Sequence, residues 1–148
     1  MPLPILFKVR NQRLVLKGYG LNEGLCESLF QSFRIYPELL TAINLTNNGM
    51  LDSDLAKVFR GLKELTQLRS IIVKDNHFHE ESCAVLGEIL ERQVPNNLEE
   101  LRLIQIKSGP IVISELCQML AESCSLRKLA LAAVELSDLN VDELCEII

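Results

Sequence analysis

The feature that most constrains the fold of this chain is an internal repeat, in which a nine-residue pattern of apolar residues returns at intervals of 28 to 30 residues. Its full form is L-x-x-L-x-L-x-x-N, where other apolar residues can replace leucine. The five copies are NQRLVLKGY (11–19), LTAINLTNN (40–48), LRSIIVKDN (68–76), LEELRLIQI (98–106) and LRKLALAAV (126–134). A repeat of this period predicts a fold built from one small structural unit.

The second half of each unit has a helical pattern. In the third unit Cys83, Leu86, Gly87 and Leu90 stand at positions 0, 3, 4 and 7, and the other units place apolar residues at the same offsets. These positions form one stripe on an α-helix. Each unit is therefore predicted to be a short strand, a loop and an amphipathic helix of about three turns. Such a unit cannot cover its own apolar stripe, so neighbouring units must stack to form one core.

These patterns resemble the leucine-rich repeat family, and the unit length and helical second half resemble its ribonuclease-inhibitor-like subclass. The resemblance covers nearly the whole chain. It implies an α/β solenoid, a curved horseshoe segment of about five repeats, with parallel β-strands on the concave face and α-helices on the convex face. It also implies that the asparagine of the pattern is buried in the turn after the strand. Asn48 and Asn76 keep this residue, whereas Tyr19, Ile106 and Val134 replace it.

We expect the chain to divide into a short N-terminal cap and one repeat domain. The cap is residues 1–10, and the leucine-rich repeat domain is residues 11–148. Its repeats are approximately 11–39, 40–67, 68–97, 98–125 and a truncated 126–148. The last repeat stops at Ile148 in the middle of a helical pattern. We therefore expect the C-terminal end of the solenoid to be covered by further repeats, by a partner or by self-association.

Charge and hydropathy argue against several classes of protein. The net charge is −5 with both signs mixed along the chain, whereas a nucleic-acid binder usually has a basic face or stripe. No apolar run approaches the roughly 18 residues that a membrane helix needs, and the N-terminus lacks the features of a signal peptide. Five cysteines without a CxxC pair favour reduced thiols. We expect a cytoplasmic protein that binds neither nucleic acid nor a membrane.

The stretch NHFHEESC, which begins at Asn76, has the residue types of a metal or catalytic site. Alignment with the other units gives it simpler roles: Asn76 is the asparagine of the pattern, Phe78 is a buried loop residue, and Cys83 points into the core. His77 and His79 remain on a loop, and the fold supplies no third ligand for a metal. The sequence therefore predicts no metal site, and leaves open whether the two histidines have a role.

No catalytic motif is recognisable. Cys26, Cys83, Cys117 and Cys145 fall at core positions of the repeats, and Cys124 stands between a helix and the next strand. A cysteine nucleophile needs an activating histidine, and both histidines belong to a different unit from Cys124. The chain has no Ser-His-Asp order, phosphate-binding loop or HExxH motif. We expect no enzymatic activity and no cofactor.

The concave face of such a solenoid carries the residues that alternate with the inward-pointing apolar residues of the strands. Ile72 and Ile104 are expected on adjacent strands, one column apart and flanked by Lys74 and Arg102. An apolar spot rimmed by charge is typical of a protein contact surface, although β-branched residues also simply favour strands. The predicted partner-binding residues are Val15, Lys17, Asn44, Thr46, Ile72, Lys74, Arg102, Ile104, Lys128 and Ala130.

The leading functional hypothesis is a non-enzymatic protein-interaction module or scaffold that binds a protein partner through its concave face. One alternative is a regulator of an enzyme such as a nuclease or small GTPase, which the resemblance implies. Another is a structural segment of a larger cytoskeletal, ciliary or immune-receptor repeat protein, which the uncovered C-terminal end favours. All three act through surface contacts, so the repeats alone cannot separate them.

Overall fold

The computed structural model describes residues 9–91, 98–108, 110–122 and 126–132. Strands and helices alternate along this part of the chain, as the repeat predicts. The elements are β1 (Arg13–Lys17), α1 (Glu23–Ile35), β2 (Ala42–Thr46), α2 (Asp52–Leu62), β3 (Ser70–Lys74), α3 (Glu80–Glu91), β4 (Glu100–Ile104), α4 (Pro110–Ala121) and β5 (Lys128–Ala132). The predicted α/β class is confirmed, with five strands and four helices in the described residues.

The five strands form one parallel sheet in the order β1-β2-β3-β4-β5, so each strand pairs with the next strand in the chain. The register follows the sequence repeat, because Leu16, Leu45, Val73, Leu103 and Leu131 lie side by side across the sheet. A shift of one residue would turn every apolar side chain to the opposite face. The spacing of the repeat therefore fixes the pairing of the strands.

Alternation along each strand decides which side of the sheet is buried. Leu14 and Leu16 of β1 are fully buried, as are the matching residues of β2, β3 and β4. They join Phe33, Phe59 and Leu86 of the helices in a single apolar core. The residues that alternate with them point to the other side of the sheet and are exposed or half-buried. Within the described residues, one side of the sheet is thus covered by helices and the other is open.

The helices pack against their neighbours in chain order, and two glycines allow this packing to be close. A Cβ atom at Gly61 of α2 would lie 2.9 Å from Cδ2 of Phe33 and 3.0 Å from the backbone Cα of Phe30. A Cβ atom at Gly87 of α3 would lie 2.1 Å from Sδ of Met119 in α4. Gly87 is therefore part of the helix contact and not a gap in the apolar stripe.

The turns after the first four strands share one backbone conformation. Gly18, Asn47, Asp75 and Gln105 stand at equivalent positions, with φ of 68°, 51°, 55° and 50°. These angles lie in the left-handed region, which asparagine, aspartate and glycine tolerate best. Ile106 replaces the asparagine of the pattern in the fourth unit, yet the turn before it keeps the same φ. The shape of the turn therefore does not depend on that asparagine.

Parts of the predicted domain division lie outside the described residues. Only Val9 and Arg10 of the predicted cap are described. Val9 packs against the core, and Arg10 exchanges two backbone hydrogen bonds of 2.9 Å with Arg13. The predicted exposed end of the last repeat falls on residues 133–148, which the structure does not describe. Among the helices of the described residues, none has the length and apolar character to cross a membrane.

Candidate functional site

The candidate binding surface is the side of the sheet that none of the described helices covers, here called the open face. Three residues of each strand point to this side, and the strand register arranges them in three rows. The entry row is Arg13, Ala42, Ser70, Glu100 and Lys128. The middle row is Val15, Asn44, Ile72, Arg102 and Ala130. The exit row is Lys17, Thr46, Lys74, Ile104 and Ala132. All ten residues predicted to bind a partner lie on this face.

The expected apolar spot is present as a diagonal. Ile72 pairs with Arg102 across β3 and β4, and Ile104 pairs with Lys74 in the next row. Ile72 and Ile104 thus lie at two diagonally opposite corners of a square, and Lys74 and Arg102 lie at the other two corners. Val15 of β1 adds an apolar side chain that is 54% exposed. The placement of these residues matches the sequence prediction, while their role in binding stays a prediction.

Glu100 organises the polar contacts on β3 and β4. Its carboxylate accepts hydrogen bonds from Nε of Arg102 at 2.6 Å and from Oγ of Ser70 at 3.1 Å. Burial opposes the charge of Glu100, but the hydrogen bonds from Arg102 and Ser70 and the positive charges of Arg102 and Lys128 outweigh it. Together they hold the pKa of Glu100 below its ordinary value. Glu100 is therefore ionised at neutral pH and already hydrogen-bonded to Arg102 and Ser70.

A shallow depression of about 220 Å³ lies at the β1–β3 side of the open face. Its lining includes Val15, Ala42, Asn44, Ile72 and Glu100. Such a volume holds a side chain, not a cofactor, because ligand pockets usually start at about 300 Å³. The depression is thus of a size to receive one side chain of a partner.

The turns after β2 and β3 are held by a ladder of buried amides. Asn48 is 3% exposed and Asn76 is 2% exposed. Nδ2 of Asn48 donates to the carbonyl of Leu16 at 2.9 Å, and Nδ2 of Asn76 donates to the carbonyls of Leu45 and Lys74 at 3.1 and 2.9 Å. Oδ1 of Asn76 accepts from the backbone N–H of Asn48 at 3.3 Å. Each asparagine thus connects its own turn to the preceding unit, and their expected burial is confirmed.

The stretch NHFHEESC has the structural roles that its alignment predicts. Phe78 and Cys83 are fully buried, and the ring of Phe78 meets that of Phe59 edge-on at 6.5 Å. The rings of His77 and His79 are 6.0 Å apart. Among the described residues, no group of three or more His, Cys, Asp or Glu side chains could hold a metal ion. The stretch is therefore a turn and the start of α3.

The buried cysteines are poor nucleophiles. Burial, assisted by nearby acids, raises the pKa of Cys26 and of Cys83 to about 12. Both thiols are free and buried, so their thiolate form, which would attack a substrate, is scarce at neutral pH. Cys117 is also buried. Cys124 and Cys145 lie outside the described residues.

Sequence reasoning missed the role of Asp52. Its carboxylate accepts hydrogen bonds from the backbone N–H groups of His79, Glu81 and Ser82, at 2.8, 3.0 and 3.1 Å, and from the Ser82 hydroxyl. The aspartate at the start of α2 therefore caps α3 in the next unit. The bonded residues are 27 to 30 positions apart, about one repeat period, but the period alone does not say which side chains of adjacent units touch.

Comparison with known proteins finds similarity of structure. No protein-family model matches the chain, and no curated protein matches its sequence. The solved structure of the leiomodin-1 actin-binding site 2 has a TM-score of 0.71 and 18% identity, over 96% of this chain and 86% of that chain. The tropomodulin C-terminal domain of Caenorhabditis elegans has a TM-score of 0.70 and 14% identity, over 97% of this chain and 88% of that chain. Likeness at this identity establishes the fold alone.

These structures overturn the assignment to the ribonuclease-inhibitor-like leucine-rich repeat subclass. Leiomodin and tropomodulin domains are among the structures that match over nearly the whole chain. The physical reason for the error is that the nine-residue pattern reports only on inward-pointing strand residues and a tight turn. Any stacked β-α unit of about this length needs both features. The pattern therefore predicts parallel strands and their register correctly without specifying a family.

Proposed function

We propose that this chain is a non-enzymatic protein-binding domain of a cytoplasmic cytoskeletal protein, with actin as the candidate partner. The observation that carries the proposal is its structural likeness, along nearly its whole length, to a domain described as an actin-binding site. Of the hypotheses that the sequence leaves open, the cytoskeletal one therefore has support. No observation on the described residues favours an enzyme regulator.

We also propose that the open face is the binding surface. The stacking of strands in chain order supports a further proposal, that the units form a curved solenoid with the open face on its concave side. Ile72 and Ile104, with Lys74 and Arg102 at the other corners of their square, are the expected centre of contact, because an apolar centre with a polar rim is the usual anatomy of an interface. Val15 extends this apolar area onto β1.

Co-sedimentation with filamentous actin, and sedimentation velocity with monomeric actin, test the partner. The wild-type chain should bind at least one of the two forms. The double variant Ile72→Asp/Ile104→Asp should fold normally and lose that binding, because it places two charges at the centre of the proposed contact.

The matched control is Ile35→Asp/Ile111→Asp. These isoleucines lie on the helices and are 62% and 73% exposed, so the control makes the same chemical change away from the open face. It should bind actin like the wild type. Absence of wild-type binding to both forms of actin would refute the proposed partner. Equal loss of binding in the two double variants would refute the proposed surface.

A further inference from the structure

We propose that the open face binds an acidic, extended segment of a protein partner, which lies across the strands. The proposal rests on the proposed function, since it assumes that the open face is a protein contact, and it adds the chemistry of the segment that is recognised. Three observations carry it: the charge of the face, the absence of compensation for that charge, and the spacing of the cations.

The open face is basic although the chain is acidic. The whole chain has 15 lysines and arginines against 20 aspartates and glutamates. Of the fifteen side chains on the open face, five are cationic and one is acidic. The five cations are Arg13, Lys17, Lys74, Arg102 and Lys128. The single acid, Glu100, is hydrogen-bonded to Arg102 and Ser70. The face therefore presents excess positive charge to a partner.

This positive charge is not compensated locally. Within the part of the chain that the structure describes, Arg13, Lys17 and Lys74 have no ion-pair partner. On the helical side, by contrast, Lys57 and Arg60 of α2 each lie within 3.8 Å of a glutamate on a neighbouring helix. Acids and bases are thus matched between the helices, whereas on the open face Glu100 pairs with Arg102 and these three cations stay unpaired among the described residues. Complementary charge on a partner would be attracted to the sheet side.

The cations are spaced to suit an extended chain. Lys17 and Lys74 lie in the exit row with Thr46 between them, so their strands are about 9.6 Å apart. Three residues of a peptide in the extended polyproline II conformation span about 9 Å and complete one turn, so every third side chain points the same way. A segment with two acidic residues three positions apart would therefore meet Lys17 and Lys74 together as it crosses the first three strands. Between the cations, Val15, Ile72 and Ile104 offer contacts to aliphatic side chains.

The same face is less suited to nucleic acid. Single-stranded nucleic acid is usually held by aromatic side chains on which the bases stack, and none of the fifteen residues of the open face is aromatic. Alternation of aliphatic and cationic residues instead complements a peptide that alternates aliphatic and acidic residues. An anionic membrane would offer negative charge without the aliphatic side chains at fixed spacing. An acidic peptide is therefore the occupant that these observations favour.

The test uses fluorescence anisotropy with a labelled synthetic peptide, Asp-Ile-Ser-Asp-Val-Ser-Asp, and the full 148-residue chain. The peptide should bind in low salt and dissociate as salt rises, because exposed charges are screened over about 10 Å at 0.1 M. A control peptide with lysine in place of each aspartate should not bind. Equal binding of the two peptides would overturn the proposal. So would binding of a 20-nucleotide oligothymidylate or of phosphatidylserine vesicles without binding of the acidic peptide.

Charge reversals locate the binding. Lys74→Glu, at the centre of the face, should weaken binding about tenfold, the loss that about 1.4 kcal/mol represents. Lys17→Glu, on the edge strand, provides a second variant if Lys74→Glu folds poorly. Arg34→Glu is the matched control, because it makes the same change of charge at an exposed position on the helical side; its affinity should stay within about twofold of wild type. An equal loss of affinity in Arg34→Glu would overturn the proposal.

The actin assay on the same variants separates this inference from the proposed function. If the acidic peptide binds and actin does not, the proposed partner fails and the inference stands. If Lys17→Glu and Lys74→Glu both bind actin as tightly as the wild type, the acidic segment is not part of the contact with actin. The inference then fails.

Discussion

The carboxylate of Asp52 accepts a hydrogen bond from the backbone N–H of His79 at 2.8 Å, although the two residues belong to different units. His79 immediately precedes α3, and the N–H groups of Glu81 and Ser82 in its first turn donate to the same carboxylate. The first N–H groups of a helix have no partner within the helix. Asp52 therefore supplies the cap that α3 needs and ties it to the start of α2.

Replacing Asp52 with Asn should destabilise the fold. The amide has one acceptor oxygen instead of two and no charge to oppose the helix dipole, so we expect a loss of about 1 to 2 kcal/mol in the free energy of unfolding. Urea unfolding followed by circular dichroism measures the effect. Asp54→Asn is the matched control, because Asp54 lies in the same first turn of α2. A loss as large in Asp54→Asn would show that the cap across units is unimportant.

The same contact should make stability depend on acidity. Burial alone would raise the pKa of Asp52, but hydrogen bonds from the Ser82 hydroxyl and from the backbone of His79, Ser82 and Glu81 lower it in the folded protein. A group with a lowered folded pKa stabilises the fold above its unfolded pKa, which is about 3.9 for Asp, and this contribution is lost as pH falls through the folded pKa.

Unfolding curves of wild type and Asp52→Asn at a series of pH values from 7 down to 2.5 test the direction of this pH dependence. The difference in unfolding free energy should be largest above pH 5 and shrink steadily below about pH 4. Because the unfolding free energy of Asp52→Asn is subtracted from that of the wild type at each pH, the contributions of other acids with a lowered pKa cancel. Glu27 and Glu100 are among these acids. A difference that stays constant or grows as pH falls would contradict the assigned role.

The buried amide ladder gives a second stability prediction. Asn76→Ile copies the residue that Ile106 supplies in the fourth unit, but it removes the amide hydrogen bonds to the Leu45 and Lys74 carbonyls and the acceptor of the Asn48 N–H. The Lys74 carbonyl still accepts from the N–H of Asn47. Leaving a buried polar group unpaired costs about 1 to 3 kcal/mol, so we expect the free energy of unfolding to fall by about that amount. Urea unfolding measures it. Asn44→Ala, on the open face, is the control and should change stability by less than about 0.5 kcal/mol.

The period of the sequence predicts the strands because apolar alternation and register are linked in a stacked sheet. Residues such as Leu45 and Val73 can be assigned to the core, and Ile72 to the open face, from spacing alone. What spacing cannot supply is contact between side chains of different units. The cap that Asp52 provides and the ion pairs of Lys57 depend on the distance between neighbouring helices. The excess of five cations over one acid on the open face follows from the register alone, but which of those cations are unpaired does not.

The two glycines at the helix contacts differ in what opposes a larger side chain. A Cβ at Gly61 would meet the Phe33 ring and the Phe30 backbone, whereas a Cβ at Gly87 would meet only the flexible end of Met119. We therefore expect Gly61→Ala to destabilise the fold by about 1 to 3 kcal/mol, as overpacking usually does. Gly87→Ala should have a smaller effect, because the Met119 side chain can move away.

A double-mutant cycle distinguishes the two sites. Met119→Ala removes the atom that a methyl group at position 87 would meet, so adding it should cancel most of the effect of Gly87→Ala, with an interaction energy of about 0.5 kcal/mol or more. The same Met119→Ala change should leave the effect of Gly61→Ala unaltered, because Gly61 contacts α1 and not α4. Thermal unfolding of the wild type, the three single variants and the two double variants that contain Met119→Ala supplies the free energies for both cycles. Additive effects of Gly87→Ala and Met119→Ala would mean that α3 and α4 are not in close contact at this point.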